Sequence, residues 1–366
     1  MEKKEKQISP FLVFFLIHKI QLGVGVLGFQ RDIIKFAGND AWIIVIVAAI
    51  LVSISLWFMY VLLNRHQVDL IDIHKDLFGK WAGGALSIIW IINWILLAVT
   101  VFRNYIEIIQ VWIFPIINVG MISVIFIILI YYCISGGFKV VAGLSFLGVV
   151  IPFYIFMTFL YPLEYANFRN LLPVWNHTIT EMALGTKEMM LSYLGFSTLM
   201  MFYPFIKNPT KSQKWAHFGN LFTMVLYLFL MITTIVYYSE KQVNRYVWAT
   251  LSLWQIVEMP FVERLEYIGI VSWLLIILPN ISLNIWAATT GAKKIFNIKS
   301  NKLLIGLLVL LWLFVILIKN SDTIAKLNQI SSMFGMGLIY GYVPILTVIS
   351  FIILKRRRKK DGKVTN

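Results

Sequence analysis

The stretch Gln21-Leu-Gly-Val-Gly-Val-Leu-Gly-Phe-Gln30 carries three glycines, Gly23, Gly25 and Gly28, in the middle of the first long apolar segment. A glycine costs about 1 kcal/mol relative to alanine in a helix interior, so three glycines so close together predict a break in this helix. Inside a bilayer, unwound backbone is tolerated only where it is buried in protein or lines a cavity. The stretch therefore predicts a binding site. The alternative is a glycine-rich packing face between helices.

The composition is that of a membrane protein that crosses the bilayer many times. Hydrophobic residues make up 60% of the chain and charged residues 13%, whereas soluble domains have about 45–50% and 25%. The spacing Gly23-x-Gly25-x-x-Gly28 also occurs in dinucleotide-binding sites, but those require a soluble βαβ unit, which the apolar flanks exclude. The single cysteine, Cys133, excludes an intrachain disulfide and a cysteine metal cluster.

Apolar stretches of about 20 residues, the length that crosses a bilayer, recur ten times. We number them spans 1 to 10, with these approximate limits: 11–37, 41–63, 82–112, 115–134, 140–161, 187–206, 216–238, 267–292, 302–319 and 335–354. Two connections are long, 162–186 and 239–266, and both contain apolar and aromatic residues. We expect each of them to hold a short helix on the outer face.

Charge predicts the orientation of the chain. An even number of spans places both termini on one side, and positive residues mark the cytoplasmic side. Nearly two thirds of the 32 lysines and arginines lie on the side of the termini. We therefore predict a cytoplasmic segment over 1–10, a transmembrane domain over 11–354 and a basic cytoplasmic tail over 355–366. The tail suits anionic lipid or a cytoplasmic partner. This distribution explains the net charge of +15 without a nucleic-acid partner.

The ten spans divide into two sets of five, over about 11–161 and 187–354. Span 6 contains Tyr193-Leu-Gly-Phe-Ser-Thr-Leu199, which again places a glycine and small polar residues in mid-span. In transporter folds, interrupted spans at corresponding positions of two halves point to a site near the bilayer midplane. The two interruptions are the strongest functional signal in the sequence.

Four motifs carry a family resemblance: Ile20-Gln-Leu-Gly-Val-Gly-Val-Leu27, Asp40-Ala-Trp42, Gly195-Phe196 through Pro204-Phe205 and Pro209, and Glu263-Arg264-x-Glu266. In this order they resemble the spore germination permease-like family, the B subunits of nutrient germinant receptors, over essentially the whole chain. The resemblance implies the amino acid–polyamine–organocation superfamily. It also implies the all-α leucine-transporter fold, a 5+5 inverted repeat of ten transmembrane helices with helices 1 and 6 broken.

The same resemblance implies the location and the partners. The location is the spore inner (cytoplasmic) membrane. The partners are a larger membrane A-type subunit, a lipoprotein C-type subunit and membrane lipids.

The break predicts how a ligand is held. Amides around Val26–Phe29 would receive a carboxylate at a helix N-terminus, and carbonyls around Leu22–Val24 would hold an amino group, which suits an amino acid. Ser197 and Thr198 offer hydroxyls, or bond back to their own helix. The span 3 face with Trp94 supplies apolar walls, or is ordinary core. The predicted ligand-binding residues are Leu22, Gly23, Val24, Gly25, Val26, Leu27, Gly28, Trp94, Leu97, Val101, Gly195, Phe196, Ser197 and Thr198.

Charged residues within membrane spans are energetically costly and usually have a structural or functional role. Arg103 and Glu107 are four residues apart on span 3 and either neutralise each other or form an outer gate. The Glu263, Arg264 and Glu266 group is assigned a gate or structural role.

Two further sites concern a coupling ion. His18 and Lys19, one turn before the glycine break, suit proton coupling, although Lys19 can instead snorkel toward the cytoplasm. Asn280, Ser282 and Asn284 on span 8 resemble the place where related transporters bind sodium, but no carboxylate is present there.

Enzymatic, metal and cofactor motifs are not readable in the sequence. The five histidines are scattered and show no metal-ligand spacing. Two functions remain. The first is a receptor subunit that binds a small nutrient, an amino acid by the chemistry above, and signals to partner subunits to start spore germination. The alternative is a secondary amino-acid permease coupled to protons or sodium.

Overall fold

The computed structural model describes residues 7–257 and 263–361, with the side chains of 358–361 excepted. Residues 1–6 of the predicted N-terminal segment and 362–366 of the predicted tail lie outside the described residues. Within the described part the secondary structure is helical, and one isolated bridge pairs the backbones of Ile8 and Ile206. The helices of the ten spans, in chain order, are Leu12–Gln21 with Phe29–Ala37, Ala41–His66, Leu70–Trp112, Val119–Ser135, Phe138–Val150 with Phe153–Thr158, Ile179–Ser192 with Leu199–Phe202, Gln213–Tyr237, Leu265–Phe296, Ser300–Leu317, and Ser321–Met336 with Val343–Asp361.

Three spans begin earlier than hydropathy predicted. The span 3 helix starts at Leu70 and has a non-helical residue at Gly79, whose φ is 78°. Span 6 begins at Ile179, after a capping box formed by Thr178 and Glu181. Span 10 begins at Ser321. The early turns carry polar and charged residues, so a search for apolar stretches does not include them.

Short helices fill the interruptions and connections. The prediction that both long connections contain short helices is confirmed. The short segments are the 3₁₀ turns Gly25–Leu27, Gly38–Asp40, Tyr161–Tyr165, Phe168–Leu171, Phe196–Thr198, Tyr203–Phe205 and Pro209–Ser212, the α-helices Glu240–Val243 and Ala249–Trp254, and the π-helix Gly337–Tyr342.

The interrupted spans lie in the interior of the bundle. The first half of span 1 packs against spans 5 and 7, and span 8 lies along span 3. Apolar side chains such as Ile50, Trp57 and Ile128 are exposed on the outside, as suits a surface that faces lipid. By length and composition, seven helical stretches of the described residues can cross a membrane, and Leu12–Gln21 and Val119–Ser135 are shorter apolar helices.

Candidate ligand-binding site

The interruptions of spans 1 and 6 contact each other. A Cβ built on Gly25 would lie 3.4 Å from Ser192 Oγ, at the end of the first half of span 6. A Cβ built on Gly195 would lie 2.7 Å from Ile20 Cγ1, at the end of the first half of span 1. Gly195 has a φ of 111°, a backbone conformation that favours glycine. The two halves of the chain therefore meet at the two breaks that the sequence predicted.

The break in span 1 offers free backbone donors. The amides of Leu27 and Gly28 are used within the 3₁₀ turn, where they donate to Val24 O at 3.0 Å and Gly25 O at 3.1 Å. Among the described residues, no backbone acceptor is bonded to the N–H groups of 23–26. The free amides thus begin about one turn earlier than the predicted Val26–Phe29, because the 3₁₀ turn consumes the later ones.

The carbonyls of the same break are mostly occupied. Side chains from spans 7 and 8 and from the connection between them donate to four of these carbonyls: Asn280 Nδ2 to Ile20 O (3.0 Å), Tyr227 OH to Gln21 O (3.2 Å), Trp273 Nε1 to Gly23 O (3.4 Å) and Thr250 Oγ1 to Val26 O (2.8 Å). Free donors beside occupied acceptors suit a carboxylate or another acceptor group. The predicted amino-group site on the Leu22–Val24 carbonyls gains less support, because Gly23 O and Val24 O already accept hydrogen bonds.

There is free space beside Gly25. This glycine is exposed although Val24 and Val26 on either side are buried. Ser192 is half-buried, and its hydroxyl has no partner among the described residues. Ser192 was missed from the sequence because it ends the regular helix Ile179–Ser192, one residue before the glycine-containing motif. Its position next to Gly25 adds a free hydroxyl to the free amides.

The face of span 3 predicted as a wall contacts both breaks. Trp94 Nε1 donates to Ser197 Oγ at 3.2 Å, and a Cβ on Gly23 would lie 3.9 Å from Val101 Cγ2. Leu97, between them on the same face, is buried. Thr198 Oγ1 donates to Gly195 O at 3.1 Å, so its hydroxyl bonds locally, as the alternative interpretation expected. The Ser197 hydroxyl instead joins spans 3 and 6.

The site is covered at both ends. At one end, the connection after span 7 lies over Gly28, where a Cβ would be 2.5 Å from Val247 O. On the side of the termini, Ile8 N donates to Phe205 O at 2.8 Å and Lys207 N donates to Ile8 O at 2.9 Å. Chain segments therefore lie against the break region at both ends, while Gly25 between them stays exposed.

Arg103 and Glu107 bond to the connection between spans 9 and 10. Arg103 Nε donates to Ile318 O at 2.6 Å, and Glu107 accepts from Ser321 Oγ at 2.8 Å. The ion pairs of the described residues include none between Arg103 and Glu107. Carbonyls at a helix C-terminus lack partners within their own helix, and Arg103 donates to Ile318 O and Lys319 O just after span 9.

The charged motif before span 8 forms a local structural group. Arg264 Nε lies 2.9 Å from Glu266 Oε1, and the Arg264 guanidinium lies 4.0 Å from the centre of the Tyr267 ring. Glu263 lies just before this pair and is exposed. These contacts are of the kind expected for a structural role of Arg264 and Glu266.

Lys19 does not snorkel. It is buried, and its Nζ donates to Gly148 O of span 5 at 2.9 Å. A Cβ on Gly148 would lie 3.1 Å from both Lys19 Cε and Pro279 Cγ, so the lysine ends between spans 1, 5 and 8. The snorkelling interpretation is therefore wrong. His18 is also buried, and its Nδ1 lies 2.9 Å from Thr223 Oγ1.

The asparagines of span 8 contact span 1. Asn280 donates to Ile20 O, and Asn284 Nδ2 donates to Asn280 O at 3.1 Å. Ser282 Oγ is buried without a partner among the described residues. Within that same part of the chain there is no group of three or more His, Cys, Asp or Glu side chains that could hold a metal ion.

Solved structures of transporters share this fold. A Na⁺-coupled sialic acid symporter in a substrate-bound outward-open state is 12% identical, covers 91% of this chain and 79% of its own, and superposes with a TM-score of 0.65. MhsT in complex with L-phenylalanine is 13% identical, covers 93% of this chain and 98% of its own, and gives a TM-score of 0.61. The molecule is thus a multi-pass membrane protein with the leucine-transporter fold, in which helices 1 and 6 are interrupted.

Sequence relatives identify the family. The family model described as "Spore germination protein" matches residues 7–324. Spore germination protein GerQB of Bacillus cereus is 42% identical, over 97% of this chain and 98% of its own. Spore germination protein A2 of Bacillus subtilis is 24% identical, over 98% of both chains. This chain belongs to the spore germination protein family, as the resemblance implied.

Proposed function

We propose that this protein is a nutrient germinant receptor subunit that binds a small ligand between spans 1 and 6. The observation that carries the proposal is the set of free amides at 23–26 beside the space at Gly25, with the Ser192 hydroxyl at its edge. Free donors at a break in a buried helix suit the carboxylate of an amino acid. Ligand binding would favour one arrangement of the two halves over another, and the resulting change would pass to partner subunits.

The partners and the location follow from the family. We infer a larger membrane A-type subunit and a lipoprotein C-type subunit as partners, and the spore inner membrane as the location. Full-length similarity to Bacillus spore germination proteins supports this assignment. The division into a cytoplasmic segment over 1–10, a transmembrane domain over 11–354 and a basic tail over 355–366 is part of the same proposal.

A secondary amino-acid permease is the alternative function. The fold shared with a Na⁺-coupled symporter favours it. The position of Lys19 argues against sodium coupling, because its amine lies between spans 1, 5 and 8, close to the place where related transporters bind sodium. The amine donates a hydrogen bond there and offers no oxygen ligand, whereas hard cations are bound by oxygen ligands.

A pair of substitutions at Gly25 tests the ligand site. Gly25→Leu fills the space that the ligand would occupy, so the ligand concentration for half-maximal germination should rise by about tenfold or more. Gly25→Ala is the matched control, because its Cβ would make only a 3.4 Å contact with Ser192 Oγ, and a smaller effect is expected. Germination is followed as the fall in optical density of spores given single amino acids or nucleosides.

The result depends on protein levels, so an immunoblot of spore membranes accompanies the assay. A Gly25→Leu protein present at the normal level with an unchanged response would show that the ligand does not bind at this break. Uptake of the radiolabelled ligand into membrane vesicles separates the two functions. Accumulation that requires a proton or sodium gradient would support the permease and contradict the receptor.

A further inference from the structure

Buried polar atoms without partners lie where spans 3, 6 and 10 meet. Asn93 on span 3 is fully buried, and neither its Nδ2 nor its Oδ1 has a partner among the described residues. A Cβ built on Gly335 of span 10 would lie 3.4 Å from Asn93 Oδ1 and 3.1 Å from Leu194 Cδ1. Because Leu194 belongs to the interruption of span 6, the Asn93 amide lies near that interruption.

The same three spans supply further buried polar atoms that lack partners. They are Trp90 Nε1, Tyr193 OH, Ser331 Oγ and Tyr340 OH. About 90% or more of buried polar groups in proteins are hydrogen-bonded, so such a cluster is unusual for a packed core. Span 10 also forms the π-helix Gly337–Tyr342 here, a rare geometry that is frequent at functional sites. The cluster therefore suits a polar occupant.

The chemistry of Asn93 defines that occupant. A carboxamide presents two N–H donors and one carbonyl acceptor in a single plane, so its best partner offers an acceptor and a donor side by side. We propose that Asn93 determines ligand specificity by binding such a donor–acceptor edge. The carboxamide of an amino acid and the N–H/C=O edge of a nucleobase both carry it. This inference rests on the proposed function, because it assigns the ligand of that same site.

The length of the site distinguishes the two ligand classes, amino-acid carboxamides and nucleosides. Val101, which lies beside Gly23, is just over two helical turns after Asn93, or about 12 Å along span 3. A ligand held both at the span 1 break and by Asn93 must extend over a comparable distance. A nucleoside is longer than asparagine or glutamine, so the two ligand classes differ in how well they reach both ends.

Ligand-induced thermal stabilisation of the purified full-length protein tests the inference, since a ligand that binds only the folded state raises its stability. The probes are L-asparagine, L-glutamine and inosine, which carry the edge, and L-alanine, which lacks it. We expect an edge-bearing probe to stabilise the wild type, and Asn93→Leu to weaken its binding by about tenfold or more. Asn93→Asp, which keeps the size but loses the donor, should also weaken it. Asn104→Leu on the same span is the control, because Asn104 pairs with Asn328 at 2.7 Å, and it should leave ligand preference unchanged.

Each outcome decides the question. Equal binding of an edge-bearing probe by wild type and Asn93→Leu would mean that water alone occupies the cluster, which overturns the inference. The inference is also overturned if L-alanine alone stabilises the wild type, or if none of the probes stabilises it. A different result would contradict the proposed function, namely that Gly25→Leu leaves the binding of every probe unchanged. If Gly25→Leu weakens all probes and Asn93→Leu alters none, only the inference about Asn93 fails.

Discussion

Three glycines at the two breaks have different roles. Gly25 is exposed beside Ser192, Gly28 lies under Val247, and Gly195 combines a φ of 111° with close contact to Ile20. A side chain at Gly25 therefore changes the ligand space, whereas one at Gly195 strains the backbone. For this reason Gly195→Leu reports on folding as well as on binding, and is not a simple counterpart of Gly25→Leu.

We expect Gly195→Ala to lower the free energy of unfolding by about 1–2 kcal/mol, the cost of a left-handed backbone for a residue with a Cβ. Thermal unfolding in detergent measures the change. Gly143→Ala is the control, because a Cβ there meets nothing within 4 Å, and it should be neutral or slightly stabilising. Equal stability of wild type and Gly195→Ala would contradict the backbone conformation described for this break.

At the scale of elements, Tyr227 of span 7 joins the two interrupted helices. Its hydroxyl is 3.2 Å from Gln21 O and 3.2 Å from Ser192 O, and its single proton is shared between them. These carbonyls end the first halves of spans 1 and 6, where the helix dipole is negative. One buried hydroxyl therefore bonds to both breaks.

We expect Tyr227→Phe to lower stability by about 1 kcal/mol, the net value of one hydrogen bond. If both breaks must be held together for binding, the half-maximal ligand concentration should rise by about fivefold. Tyr154→Phe serves as the control, because the Tyr154 hydroxyl bonds to Ser272 on an exposed face. Indistinguishable responses from the two variants would show that the Tyr227 hydroxyl does not link the breaks.

Across the whole molecule, side chains on the side of the termini tie the ends of distant spans together. Lys294 at the end of span 8 forms ion pairs with Asp69 and Asp72, and Arg357 at the end of span 10 pairs with Asp76 at 2.8 Å. The carboxylates lie at and just after the start of the Leu70–Trp112 helix. Lys294 and Arg357, two of the positive residues that predict a cytoplasmic side, therefore also join spans on that side.

Topology gives a prediction at the same scale. In a Cys133→Ser background, a membrane-impermeant thiol reagent added to sealed cells should label Asn320→Cys, which lies between spans 9 and 10, and should not label Asn366→Cys. The physical reason is that positively charged segments stay on the cytoplasmic side during insertion. Labelling of Asn366→Cys in intact cells would reverse the whole orientation.

The sequence alone determined the features that depend on local energetics. Ten spans follow from the length of apolar stretches, and the two breaks follow from the cost of glycine in a helix and the need to shelter unwound backbone. The face of span 3 named from the sequence as an apolar wall contacts both breaks. The family followed from four motifs in the sequence, and the family model matches residues 7–324.

Only the tertiary structure decided which groups at the breaks are free. The carbonyls of span 1 are occupied by Tyr227, Trp273 and Thr250, which are more than 200 residues away along the chain. The contact of Lys19 with Gly148, and the positions of Ser192 and Asn93 near the breaks, also depend on helices that are distant in the sequence. Whether a polar atom is paired depends on which helix packs against it, and no local pattern in the sequence records that neighbour.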